Sequence, residues 1–156
     1  MIDSVYIEIP GEPVAQGRPR FSNHGKHPVA YDPKKSRDWK AYAATLMRQV
    51  KPEPFPAECP LQLTVSAYWA CPKSEYRKRE PRPLRWRTKR PDADNVLKAV
   101  KDAGSGVLWV DDSQIAVAVV EKMTASQGEP ARVNLAVRTL TDDDVALGLD
   151  EWYFDA

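Results

Sequence analysis

The sequence predicts an α+β fold, a small mixed β-sheet with two main helices in the order β-α-β-α-β-β. Three observations carry this: strand-period alternation at 5–9 and 61–69, helical spacing at 33–50 and 92–104 behind acidic residues, and two more strand-like runs at 113–123 and 131–139. The chain has 156 residues, the usual size of one domain with its own core. We place that domain at 1–140 and an acidic tail at 141–156.

In "VYIEI" Val5, Ile7 and Ile9 alternate with Tyr6 and Glu8, and Pro10-Gly11 close the strand. Residues 11–31 read as a loop. Asp32-Pro33 reads as a helix start, Asp as N-cap and Pro at the first position, followed by Trp39, Ala43, Leu46 and Val50 at helical spacing until Pro52, Pro54 and Pro56. "LQLTVSAYW" sets Leu61, Leu63, Val65, Ala67 and Trp69 against polar alternates, a half-buried strand. A second helix runs from Asp92 or Asp94 to a stop at Gly104, with Leu97, Val100 and Ala103, and also Ala93 and Val96, on its apolar face. The last two runs, joined by "TASQGEP", read as a hairpin. The helices are expected on one or both faces of the sheet.

With 42% hydrophobic and 29% charged residues, the composition is that of a globular protein, and no apolar run approaches the ~20 residues of a membrane span. No export signal is visible, so a cytoplasmic protein is expected. Cys59 and Cys71 are too far apart in sequence for the close cysteine pairs of structural zinc sites and read as free thiols. This weighs against a zinc site built with His24 and His27. Trp39, Trp69 and Trp109 fall on or beside apolar positions and read as core.

The net charge of +1 hides a segregation. Residues 71–90 carry nine Lys/Arg against two Glu, whereas 141–156 carry six acids and no base. A polyanion-facing segment and a separate acidic tail follow from this. Arg77, Lys78, Arg79, Arg82, Arg85, Arg87, Lys89 and Arg90, with Arg18 and Arg20 of "QGRPRF", are the candidate DNA-binding residues. Tyr76 and Trp86 interleave with the cations, as rings that stack on bases do. The alternative is a solvated loop. In the tail, Trp152, Tyr153 and Phe154 suit either a packed end or a peptide that docks on a protein partner.

Asp92 and Asp94 bracket one residue at the start of the second helix, with Asn95 beside them and Lys98 one turn beyond Asp94. If the following strand lies next to this helix, Asp111 and Asp112 add a third acid. Three crowded carboxylates repel one another unless a hard cation such as Mg²⁺ lies between them. Taken singly, each acid is explained by capping, an i,i+4 pair or a turn. Together, and directly after a polycation, they suit a nuclease: cations hold phosphates and acids hold a metal.

These residues carry a family likeness. "DADNVLKAVKDAGSGVLWVDDSQI" resembles the signature of the RusA-type Holliday junction resolvases, and "PVAQGRPRF" is similar to a stretch found in many of them. The resemblance runs from Val5 to about Thr139 and is strongest over 92–114. It implies a RusA-like fold and a homodimer acting on branched DNA. Asp92, Asp94 and Asp112 would be Mg²⁺-binding catalytic acids, Lys98 a catalytic lysine, and Asn95 and Asp111 supporting residues. The long basic stretch and the acidic tail stand outside the family pattern and leave room for a phage-type relative that nicks branched DNA during packaging. Two other classes stand beside the endonuclease: a non-catalytic nucleic-acid-binding module, and an interaction protein working through its tail. A pure binder gains nothing from three carboxylates beside its phosphate-binding surface.

Overall fold

The computed structural model describes residues 3–18, 20–22 and 29–147. Among these residues, seven strands and three helices follow in the order β1 (Ser4–Pro10), β2 (Arg20–Ser22), β3 (Val29–Tyr31), α1 (Lys34–Val50), β4 (Leu61–Trp69), β5 (Arg85–Trp86), α2 (Ala93–Gly104), β6 (Ile115–Thr124), β7 (Arg132–Thr139) and α3 (Asp142–Leu147). Five strands form one sheet in the order β1-β7-β4-β6-β5, and β2 and β3 pair as a separate ribbon. The α+β class and the order of the main elements are as the sequence predicts. No helix among the described residues is long and apolar enough to cross a membrane.

The alternation in β4 is complete: Leu61, Leu63, Val65, Ala67 and Trp69 are buried, and the residues between them are half-buried. Ile7 and Ile9 of β1 and Val133, Leu135 and Val137 of β7 extend the buried layer. α1 packs on β1 and α2, and α2 on β4 and β6, so both helices cover one face. Among the described residues the other face is half-buried to exposed and carries polar contacts. Ser66 Oγ donates to Glu121 (2.9 Å), Arg138 Nε donates to Gln62 Oε1 (2.8 Å), and the Arg132 guanidinium lies 4.1 Å from the centre of the Tyr68 ring.

Several expectations are corrected. β6 and β7 do not form a hairpin: β4 lies between them, parallel to β6 and antiparallel to β7. The connection 125–131 crosses the end of β4, where Ala125 N donates to Trp69 O. It must span two strand spacings, roughly 10 Å, which a loop of this length does easily. The apolar β4 gains two paired neighbours by sitting in the middle, which local spacing cannot reveal. Residues 11–31 are not all loop, since Arg20–Ser22 pairs with Val29–Tyr31.

Asp32 is not an N-cap. The cap position is Pro33, with no side-chain cap bond. The Asp32 carboxylate instead accepts from Lys40 Nζ and Gln16 Nε2, and the Lys40 ammonium beside it holds its carboxyl below the usual aspartate range. On α1 the buried stripe is Ser36, Trp39, Ala43 and Met47, while Val50 ends the helix exposed.

The stripe on α2 is Val96, Ala99, Val100, Ala103 and Gly104; Leu97 is half-buried, and Ala93 in the first turn is exposed. The helix stops at Gly104, as expected. It is the last helical residue, and the following Ser105 has φ −63°. A Cβ on Gly104 would lie 2.3 Å from Cη2 of the fully buried Trp109, so the glycine makes room for that ring. Gly104→Ala is therefore expected to destabilise the protein by about 1–3 kcal/mol through overpacking, despite alanine's better helix propensity. Urea unfolding checks this; a variant as stable as wild type would mean the ring can move aside.

Candidate active site

The start of α2 is assembled from three directions. Asp92 occupies the N-cap position with extended backbone, and Asp94 lies in the first turn, where the unpaired amides and the helix dipole favour negative charge. From β6, Lys122 Nζ donates to Lys89 O (3.0 Å) and Pro91 O (2.5 Å), fixing the chain just before the helix. From the 11–18 segment, Gln16 N donates to Asn95 O (2.9 Å). Gln16, Arg18, Arg90, Pro91, Asp92 and Asn95 then line an open groove of about 420 Å³. Carboxylate, amide and two guanidinium-bearing residues thus share one cavity. Lys98 lies one turn on, exposed, and among the described residues no ion pair joins it to Asp94.

Gln16 does more than line the groove. Its Nε2 donates to Asp32 Oδ1 (2.6 Å), and its Oε1 accepts from Lys40 Nζ (3.1 Å), which also lies 3.5 Å from Asp102 Oδ2 on α2. The segment bearing Arg18 is tied in this way to both helices. Sequence reasoning missed Gln16 and Lys40, although Gln16 stands within the quoted "PVAQGRPRF".

Asp111 and Asp112 sit in a 3₁₀ turn, Asp112–Gln114, ahead of β6. Asp111 Oδ1 accepts from Ser113 N (2.8 Å), and hydrogen bonds from Ser113 hold its carboxyl below the usual range. The buried Gln114 pins the turn: its Oε1 accepts from Val110 N (2.7 Å) and Asp111 N (3.2 Å), and its Nε2 donates to Pro56 O (2.7 Å) and Cys59 O (3.2 Å). Asp112 Oδ1 accepts from Trp109 Nε1 (2.9 Å).

Within one chain this turn does not join Asp92 and Asp94. Trp109 packs on Gly104, the far end of α2, and Asp111 lies near Lys101 in the last turn. The 12-residue helix is about 18 Å long, whereas two oxygens on one Mg²⁺ lie about 4 Å apart or less. Among the described residues, no three His, Cys, Asp or Glu side chains stand close enough to hold one metal ion. The expected convergence of all three acids inside one chain is corrected accordingly. β6 does neighbour α2, but helix and strand together set the two acid positions near opposite ends of the helix.

The cationic segment has a defined structure. Gln127, in the β6–β7 connection, clasps it: Oε1 accepts from Arg77 N (2.9 Å) and Arg82 N (3.2 Å), Nε2 donates to Arg77 O (3.0 Å), and the backbone N donates to Arg82 O (2.8 Å). Arg77, Lys78 and Arg79 are exposed on this clasped loop, and Arg82 Nε donates to Glu75 O (3.2 Å). Arg85 and Arg87 are partly structural. Arg85 pairs with Glu75 and lies 3.7 Å from Cys71 Sγ, whose hydrogen bond pushes the guanidinium pKa up. Burial alone would raise the Glu75 carboxyl, but Arg85 and Lys89 beside it bring it below its usual range. Arg87 lies 4.6 Å from the Trp69 ring centre and donates to Arg90 O (3.0 Å); burial lowers its pKa. Arg20 is exposed on β2.

The likeness seen in the sequence extends to nearly the whole chain. Residues 10–138 match the family described as Endodeoxyribonuclease RusA. The chain belongs to this family. The uncharacterized protein YqaN of Bacillus subtilis (strain 168) is 34% identical over 145 residues, which cover 90% of this chain and 99% of YqaN. The crossover junction endodeoxyribonuclease rusA of Lactococcus phage r1t is 36% identical over 73 residues, 46% of this chain and 51% of the phage protein. The chain thus matches about half the length of that phage relative.

In this RusA-family chain Trp39, Trp69 and Trp109 are core, as expected, and Cys59 and Cys71 are free thiols. His24 and His27, and Trp152, Tyr153 and Phe154, lie outside the described residues. The tail begins as α3, with Asp144 accepting from Arg138 Nη1 (2.9 Å) and from Thr141 N (2.6 Å). Gln127 carried no signal in the sequence, because its partners lie about fifty residues away. Gln127→Ala is expected to raise the rate of trypsin cleavage after Arg77, Lys78 and Arg79 several-fold with little change in melting temperature, since only an exposed loop is released. An unchanged cleavage pattern would show that other contacts hold the loop.

Proposed function

We propose that the chain is a Mg²⁺-dependent, structure-selective endodeoxyribonuclease that resolves four-way DNA junctions by paired nicks, acting as a homodimer in the cytoplasm of a bacterium. The observation that carries this is the groove at the start of α2, where Asp92 and Asn95 share one cavity with Arg18 and Arg90 in a chain of the RusA family. The crossover-junction activity in the phage relative's name supports the choice of substrate.

Asp92 and Asp94 fit a hard cation: both are exposed carboxylates at a helix N-terminus and neither is in an ion pair among the described residues. When bound, Mg²⁺ supplies an acidified water and charge neutralisation for in-line attack on a phosphodiester. Arg18 and Arg90 hold the phosphate in the groove, and Arg20, Arg77, Lys78, Arg79, Arg82 and Lys89, with the braced Arg85 and Arg87, provide the surrounding cationic surface. Lys98, one turn from Asp94, offsets charge developing on the phosphate. Asp112 reaches this site from a second copy of the chain, since its own Asp92 and Asp94 lie toward the other end of α2. Asn95 and Asp111 act as supports, Asn95 through the bond from Gln16 and Asp111 through its turn.

Asp92→Asn, Asp94→Asn and Asp112→Asn homodimers are each expected to lose Mg²⁺-dependent cleavage of a labelled four-way junction while still binding it. Lys98→Ala should slow cleavage about 10²–10³-fold. Mixing Asp94→Asn with Asp112→Asn subunits should restore nicking, because one site of the mixed dimer then has every acid. Cleavage by the single variants would remove these acids from the chemistry, and a mixture that stays inactive would return Asp112 to its own chain. Neutralising Arg77, Lys78, Arg79 and Arg82 together should weaken binding and reduce the slope of log K against log salt by about 0.9 per lost phosphate contact. An unchanged slope would make the loop a solvated or protein-docking arm.

A further inference from the structure

Of the four tryptophans among the described residues, three are buried, whereas Trp86 is 71% exposed. It is not on a loose segment. It pairs with Met123 at the β5 edge of the sheet, its neighbour Arg85 pairs with Thr124, and Arg87 N donates to Lys122 O (2.9 Å). The alternation of the strand sends Arg85 and Arg87 inward, to Glu75 and Cys71 and to the Trp69 ring. Leu84, 47% exposed, and Trp86 remain on the outside. A cleft of about 130 Å³ opens beside Trp86, lined also by Glu75, Thr88, Lys89 and Thr124, with the exposed Lys89 Nζ 3.5 Å from Glu75 Oε1.

We propose that Trp86 is a stacking platform for an unpaired nucleobase of the DNA substrate, with Lys89 placed for the adjoining phosphate. The ring contributes little to the fold, because most of its surface stays in water. A protein partner would be met by an apolar patch, but the segment that carries Trp86 has nine Lys/Arg against two Glu and suits a polyanion. A paired base hides its faces within the duplex stack, so a ring held rigidly by an edge strand engages bases that are free, in single strands or at an opened branch point. The inference rests on the DNA-cleaving function proposed above and names the part of the substrate that this surface holds.

The test measures binding of a fluorescent twelve-nucleotide dT oligomer, a perfect duplex and a four-way junction by anisotropy, without Mg²⁺ so that nothing is cut. Trp86→Ala should weaken oligomer binding by at least about fivefold, with duplex affinity and the salt slope unchanged, because an indole neutralises no phosphate. Trp86→Phe should keep most of the affinity, whereas Trp86→Leu should behave like the alanine variant. Circular dichroism and thermal melting verify that the variants fold, as expected for a side chain outside the core. Oligomer binding by Trp86→Ala within twofold of wild type would overturn the stacking role. So would full rescue by Trp86→Leu, which would make the patch a general apolar contact. Wild-type protein that binds none of the three DNAs would instead overturn the DNA-cleaving function itself, an outcome distinct from the loss of stacking alone.

Discussion

Trp109 is fully buried with its ring against Gly104, so close that even a methyl group on that residue has no room. Three parts of the molecule meet at this contact. The ring closes the C-terminal end of α2, its backbone bridges to Phe55 after α1, and its indole N–H donates to Asp112. An aromatic of this size anchors by area, and its polar edge then finds a partner at the surface. The position of Asp112 is therefore inherited from the packing of the core. A carboxylate fixed in this way has little freedom left to lose.

The one-sided sheet sets the geometry of everything functional. With α1 and α2 on one face, the segment before α2 is anchored by Lys122 near one end of β6, and the Asp111–Asp112 turn leads into the other. A rigid helix of three turns then holds the two acid positions apart. In the homodimer proposed above, two copies about a two-fold axis can bring unlike ends of their helices together, in keeping with the two-fold axis of the proposed four-way-junction substrate.

Three glutamines do much of the positioning. Gln16 ties the Arg18 segment to both helices, Gln114 pins the Asp111–Asp112 turn, and Gln127 clasps the cationic loop. A primary amide both donates and accepts, so it can satisfy loop backbone of either polarity without adding charge beside the cationic segment. Carboxylates in the same places would offset the cations they organise. The inward pairing of Arg85 and Arg87 works differently, setting two charges into the structure so that the edge strand and its exposed tryptophan are held still.

The sequence by itself determined the α+β class, the main strands and helices, the segregated charge and the family, because these depend on local period, composition and short-range motifs. The completeness of the β4 alternation and the acids ahead of α2 were legible for that reason. Local spacing could not show that β4 separates β6 from β7, that Gly104 serves a ring five residues on, or that Asp32 pairs with Lys40 instead of capping α1. Nor could it show which tryptophan stays in water, or that Asp112 lies a helix length from Asp92. Each of these was decided only by the tertiary structure, because each is a competition between partners distant in the chain, settled by which contact buries more surface or satisfies more polar groups at once.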